Sequence, residues 1–297
     1  MSEYFQTGSK KVGRGLARES LDLIEAMRDV AEVAQPITGR GIGYKLFTIS
    51  LIPSMATNEM ARVYRLLKLA RERGDLPWSW IVDETRSLER ISTWGDPTEY
   101  ARCVACSYRR DFWNQQPVRC EVWSEKGTIR GVLQPVLDKY AVGFRVMHGF
   151  SGATTVYEAA TDNDGRELIV LYVGDYDPSG MFMSQEDLPN RLAEYGGDHI
   201  TLERIALTQD QVDDLPSFPA ADKRKDPRHK WFVNNYGGVC WELDAMDPGD
   251  LRDCVEEAIV ALIEPVAWQR CETVNRAEQQ SLQSILANWK GTQGTTP

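Results

Sequence analysis

The stretch LIVLYVGDYDPSG, residues 168–180, constrains the fold more than any other part of the chain. A short apolar run, with Ile169, Val170 and Val173 β-branched, leads at once into Asp175, Asp177, a proline, a serine and a glycine. Such a run, closed by turn residues, is the pattern of a strand buried on both faces, as in a parallel sheet. Its surroundings follow suit. VRCEVW, FRVMHG and ITLERIAL are also β-rich, and between the four runs lie helical candidates at KGTIRGVLQPVLDKY, SGATTVYEAAT and SQEDLPNRLAEYGG. Strand and helix alternating over this length predict an α/β fold, a parallel sheet with helices on both faces.

The same loop also matches a calcium motif, with Asp175, Asp177, Ser179, Gly180 and Glu186 at the spacing of an EF-hand. An EF-hand loop is entered from a helix, however, and this one follows a strand-like run. On the strand reading, the two aspartates lie at the carboxyl end of a sheet strand, where open α/β sheets bind ligands. Residues i and i+2 of an extended chain share a face, so Asp175 and Asp177 can offer two carboxylates to one hard cation. That cation is expected to be magnesium, or manganese in its place. The plainer alternative is that one of them caps the helix after Pro178. A third acid, Glu125, follows the strand CEVW and precedes Lys126. It can converge with Asp175 and Asp177 if the strands are neighbours, or it can simply favour a helix start.

Upstream, RGLARESLDLIEAMRDVAEVAQP has helical spacing and stops before Pro36. Thr38 can cap a second helix, GRGIGYKLFTISLI, and Thr57 a third, NEMARVYRLLKLARER, closed by Gly74. LPWSWIVDE then reads as a strand or small wing, which makes a winged helix-turn-helix the candidate arrangement. The third helix carries Arg62, Arg65, Lys68, Arg71 and Arg73 opposite Met60, Val63, Leu67 and Ala70. This basic face is either a DNA-contacting surface or a solvated one. Further on, KRKDPRHK reads as a basic loop, with helices expected near DPGDLRDCVEEAIVALIEP and from WQRCETV onward, and a disordered GTQGTTP tail.

A net charge of −10, from 44 acidic against 34 basic residues, weighs against generalised nucleic-acid binding, so any DNA contact needs a local basic face. No apolar run approaches a membrane span and the first residues lack a signal-peptide core, so a cytoplasmic location is expected. Six scattered cysteines, including a CxxC at Cys103 and Cys106 in a helical context, read as reduced core thiols rather than a zinc site.

With VWSEKGTIRGVL and YVGDYDPSG in view, the chain resembles the Toprim family, whose domain has a Glu after its first strand and a DxD after a later one. In particular it is similar to topoisomerase VI A subunits and the related meiotic double-strand-break protein, over roughly residues 36–245. The resemblance implies a winged-helix domain in residues 1–115, a Toprim domain in residues 116–264 and a C-terminal helix and tail in residues 265–297. It also implies an R-x-x-x-Y nucleophile segment, matched here by RGIGY, Arg40 to Tyr44, although Gly41 and Gly43 replace larger residues and the chain is shorter than a full A subunit.

The implied activity is magnesium-dependent cleavage of double-stranded DNA by a tyrosine transesterase of the type IIB topoisomerase kind. Tyr44 and Arg40 would act with Glu125 and Lys126, and Glu125, Asp175 and Asp177 would hold the metal. Arg62, Arg65, Lys68 and Arg71 would contact DNA. A homodimer is expected because two strands need two sites, and no P-loop is present, so an ATPase would be a separate subunit. Tyr44 could equally be a packed helix tyrosine. Two other functions fit the same residues: a Toprim nuclease of a defence system that uses water as nucleophile, and a non-catalytic DNA-binding subunit.

Overall fold

The computed structural model describes residues 17–82, 91–147 and 153–288. The end of LPWSWIVDE, the junction between FRVMHG and SGATTV, and the GTQGTTP tail lie outside the described residues. The chain begins with α1 (Arg18–Ala34), β1 (Ile37–Thr38), α2 (Gly39–Thr48), α3 (Thr57–Arg73), β2 (Ile81–Val82) and α4 (Pro97–Ser107). The central part comprises β3 (Arg119–Ser124), α5 (Ile129–Tyr140), β4 (Gly143–Val146), α6 (Ala153–Thr161), β5 (Leu168–Val173), α7 (Pro178–Phe182), α8 (Leu188–Glu194) and β6 (Ile200–Ala206). It closes with β7 (Ser217–Pro219), α9 (His229–Tyr236), β8 (Val239–Trp241), α10 (Pro248–Leu262) and α11 (Pro265–Asn288).

The first three helices share one apolar core. Leu23, Met27 and Ala31 from α1 meet Ile42 and Leu46 from α2 and Met60, Val63 and Leu67 from α3. The helices α2 and α3 approach closely at Gly43, where an added Cβ would lie 2.5 Å from Met60 Sδ, so the small residue at that position has a packing reason. Thr38 caps α2 as expected, its hydroxyl accepting from Gly41 N at 2.9 Å. Thr57 instead is the first residue of α3, whose cap is Ala56, a residue with no side-chain oxygen to offer. Gly74 ends α3 in the left-handed conformation, φ 80°. The two-residue β2 pairs in parallel with β1, so no antiparallel wing hairpin is seen among the described residues.

Helix α4 starts on an Asp96 cap that accepts from Thr98 N and Glu99 N, and it packs on α11. The expectation of core thiols holds for Cys120, Cys240 and Cys271 but not for Cys103 and Cys106, which face solvent on α4. Their helix has only Ala101 buried, so it offers no apolar interior for them.

Four parallel strands form the central sheet, in the order β4-β3-β5-β6. Every residue of β5 is buried because both faces are covered. Ile169, Leu171 and Val173 join one core with α5 and α10, while Leu168, Val170 and Tyr172 join a second with α6 and α8. The period of two that a strand imposes on its side chains divides a continuous apolar run between two cores. The chain leaves β3, adds β4 on one side and returns to lay β5 on the other, so β3 and β5 flank a topological switch point. Part of the basic segment expected as a loop is helical, since α9 begins at His229. No helix among the described residues is long and apolar enough to cross a membrane.

Candidate functional site

Glu125 lies one residue beyond β3, and Asp175 lies two beyond β5, at the carboxyl ends of the two strands that bound the switch point. Asp177 fulfils the capping alternative, because its Oδ1 accepts from Gly180 N at 2.8 Å at the start of α7. Its other oxygen, Oδ2, is 2.9 Å from Lys223 Nζ. Asp175 Oδ1 accepts from Leu243 N and from Lys126 Nζ, each at 2.7 Å. A Cβ on Gly180 would lie 2.3 Å from the Asp175 carbonyl oxygen, so the chain can fold back over the aspartates only with glycine there. The calcium reading fails on this geometry. Ser179 and Gly180 are already helical, and Glu186 belongs to the helical turn at residues 183–187, so no extended ligand loop exists.

Burial, then the negative charges of Asp175 and Asp177, push the Glu125 carboxyl up to about 7. Glu125 is therefore near enough to both aspartates to feel their charge. Burial also lifts Asp175 above the ordinary carboxylate range, against the pull of Lys126. The Tyr172 hydroxyl, enclosed beside these acids, has no hydrogen-bond partner among the described residues. Three carboxylates and a phenol are oxygen donors of the kind a hard divalent cation takes. Among the described residues, however, no three Asp, Glu, His or Cys side chains form a ready ligand cage. Lysines stand against two of the three acids instead.

Lys126 spans two carboxylates, Asp175 at 2.7 Å and Asp244 at 2.9 Å. Burial opposes its charge, but Asp175 and Asp244 outweigh burial and hold the ammonium above the usual lysine range. Asp244 also accepts from the Thr38 hydroxyl at 2.6 Å, and Glu242 and Asp247 pair with Arg40 and Lys45. The segment ELDAMD after β8 thus ties the start and face of α2 to the sheet. Sequence reasoning missed Asp244, Glu242 and Lys223. A short apolar VCW followed by ELDAMD repeats the strand-then-acid pattern of the other two site segments and was the available signal. Arg204, also missed, sits under the aspartate loop and donates to the carbonyls of Gly174, Asp175, Gly180 and Leu207.

Tyr44 is packed into the helical unit, only 5% exposed. Burial, then the charge of Glu242, raise its phenol well above the usual tyrosine range, with Arg40 and Lys126 pulling the other way. The Arg40 guanidinium lies 5.8 Å from the Tyr44 ring centroid and is engaged by both oxygens of Glu242. The basic face of α3 divides. Arg62 turns to Glu19 at 2.5 Å, Arg65 is exposed, Lys68 is 3.6 Å from Glu72, and the Arg71 guanidinium lies 4.2 Å over the Trp78 ring. Lys68 and Arg71, with Arg40 and Lys126, line a cleft of about 920 Å³ that reaches Asp175 and Asp244.

Fold and site define a mixed α/β protein with a charged cluster at the switch point of a four-stranded parallel sheet. Scanned against models of protein families the chain matches none, and a search of curated proteins finds no significant match either.

Proposed function

We propose that the protein cleaves DNA in a magnesium-dependent reaction, as a Toprim enzyme behind a winged-helix-like domain, similar to a type IIB topoisomerase A subunit. One observation carries this reading: Glu125 and Asp175 follow the neighbouring strands β3 and β5 at their carboxyl ends, with Asp177 two residues on, and Asp175 lines a cleft that also holds Arg40, Lys68, Arg71 and Lys126. Those three acids would hold the metal, and a bound divalent ion would neutralise charge developing on the phosphoryl oxygens. Lys126 stays protonated between Asp175 and Asp244, placing a fixed positive charge beside the phosphate's approach. Tyr44 is the nucleophile in this reading. Its oxygen would attack phosphorus, displace a deoxyribose hydroxyl and conserve the ester bond for religation. Because the phenol is held above its usual range, its proton must pass to a base, and Glu242, whose charge acts on Tyr44, is a candidate once Arg40 releases it. Two copies would cut two strands, and a separate ATPase subunit would be needed for strand passage.

The burial of Tyr44 favours a second reading, in which water attacks and the protein is a Toprim nuclease. Supercoiled DNA incubated with protein and magnesium, then treated with detergent, separates them. A covalent protein–DNA adduct that disappears in Tyr44→Phe supports the transesterase. Cleavage that persists in Tyr44→Phe but is lost in Glu125→Gln supports the nuclease. DNA binding without cleavage by the wild type would leave only a binding subunit.

A further inference from the structure

The cleft between α3 and the sheet has a composition that the cleavage chemistry alone does not require. Trp78 and Tyr64 are 57% and 43% exposed, although both are large aromatic side chains beside an apolar wall that includes Leu67 and Ile81. Arg71 stacks over the indole at 4.2 Å, and Lys68 stands nearby with most of its side chain in solvent. An open aromatic face next to guanidinium and ammonium groups is the chemistry that holds a nucleobase by stacking and its phosphate by charge. A volume of about 920 Å³ leaves room for such a unit.

We propose that this cleft binds single-stranded DNA, with an unpaired base stacked on Trp78 and the backbone held by Lys68 and Arg71 so that the strand leads toward Asp175. Within a duplex each base is covered by its neighbours and has no free face for an indole, so stacking on Trp78 selects an unpaired segment. Among the residues lining the cleft, Trp78 and Tyr64 are exposed and Asp175 and Asp244 are buried, so a strand entering from solvent meets the aromatic side chains before the acids. As the substrate class of the cleavage site, this assignment rests on the second reading above, the nuclease that uses water, because a transesterase that cuts both strands of a duplex takes paired DNA.

The test separates binding from cleavage. Fluorescence anisotropy, with a chelator present, follows a fluorescein-labelled oligothymidylate and a blunt duplex of the same length. The wild type is expected to bind the single strand more tightly than the duplex. Trp78→Ala should weaken single-strand binding by about 5- to 100-fold with little effect on duplex, and Trp78→Phe, which keeps an aromatic face, should recover most of the loss. Equal affinity for duplex, or unchanged binding by Trp78→Ala, would overturn the proposal. So would displacement of the oligonucleotide by thymidine monophosphate at similar concentrations, since the site would then hold a free nucleotide. If the wild type binds the single strand in this way but cleaves nothing with magnesium, the cleavage function falls and the strand-binding cleft remains.

Discussion

Arg62 on α3 and Lys126 after β3 each stand between two carboxylates, Glu19 and Glu59 in the first case, Asp175 and Asp244 in the second. The Glu19 side chain is 79% exposed, whereas that of Asp244 is 5% exposed. Water screens the first group and competes for its hydrogen bonds, so its net contribution is small. The second group cannot be hydrated if its lysine is lost, and its members are held by further bonds to Thr38 and the Leu243 amide. Similar ion pairs are therefore incidental on the helical surface and structural at the switch point.

The largest way to break this contrast is Lys126→Met, which strands two buried carboxylates without a cation. Urea unfolding should show a loss of about 3–5 kcal/mol, and added magnesium should restore part of it.

Glu125 gives the next effect, through pH. Its carboxyl titrates at about 7 in the folded protein against an ordinary 4.5, so the folded state binds the extra proton. Its contribution is fully present below pH 4.5 and is lost as pH rises to about 7. Relative to Glu125→Gln, the metal-free wild type should lose about 2–3 kcal/mol across that window, read from denaturation at several pH values. A flat difference would mean that Glu125 does not feel the aspartates.

Thr38→Val removes the cap of α2 and the donor to Asp244 together, with an expected loss of about 1–2 kcal/mol in the same assay. Arg62→Ala should cost less than about 1 kcal/mol, and the loss should shrink as salt is added. If Arg62→Ala cost as much as Lys126→Met, the distinction between surface and switch point would collapse.

Much of the fold was legible because the apolar periods are strong. The β5 run and the helices α1, α3, α5 and α10 stand where the sequence pattern placed them, while α2 starts as expected but ends at Thr48, short of the Ile52 its pattern reached. The antiparallel pair β7 and β8 was not legible, since three-residue strands carry too little pattern to separate from loop. At the site, Asp175, Asp177 and Glu125 could be found from their positions after strand-like runs. The partners Lys126, Lys223, Asp244 and Arg204 acquire their roles from contacts across long sequence separations. Asp177 also shows how one residue answers to two descriptions, a helix cap through Oδ1 and a charged site group through Oδ2.

Local chemistry in the sequence determined the α/β alternation, the glycine and proline that turn the chain after Asp177, and the acids at strand ends, because each depends on neighbours a few residues away. Strand order was a tertiary decision. Only the placement of β5 beside β3 brings Glu125 to the aspartates, and only the packing of ELDAMD against α2 places Asp244 on Lys126. Those outcomes depend on how several apolar faces are covered at once, and a side chain's charge state then follows from the water that packing removes.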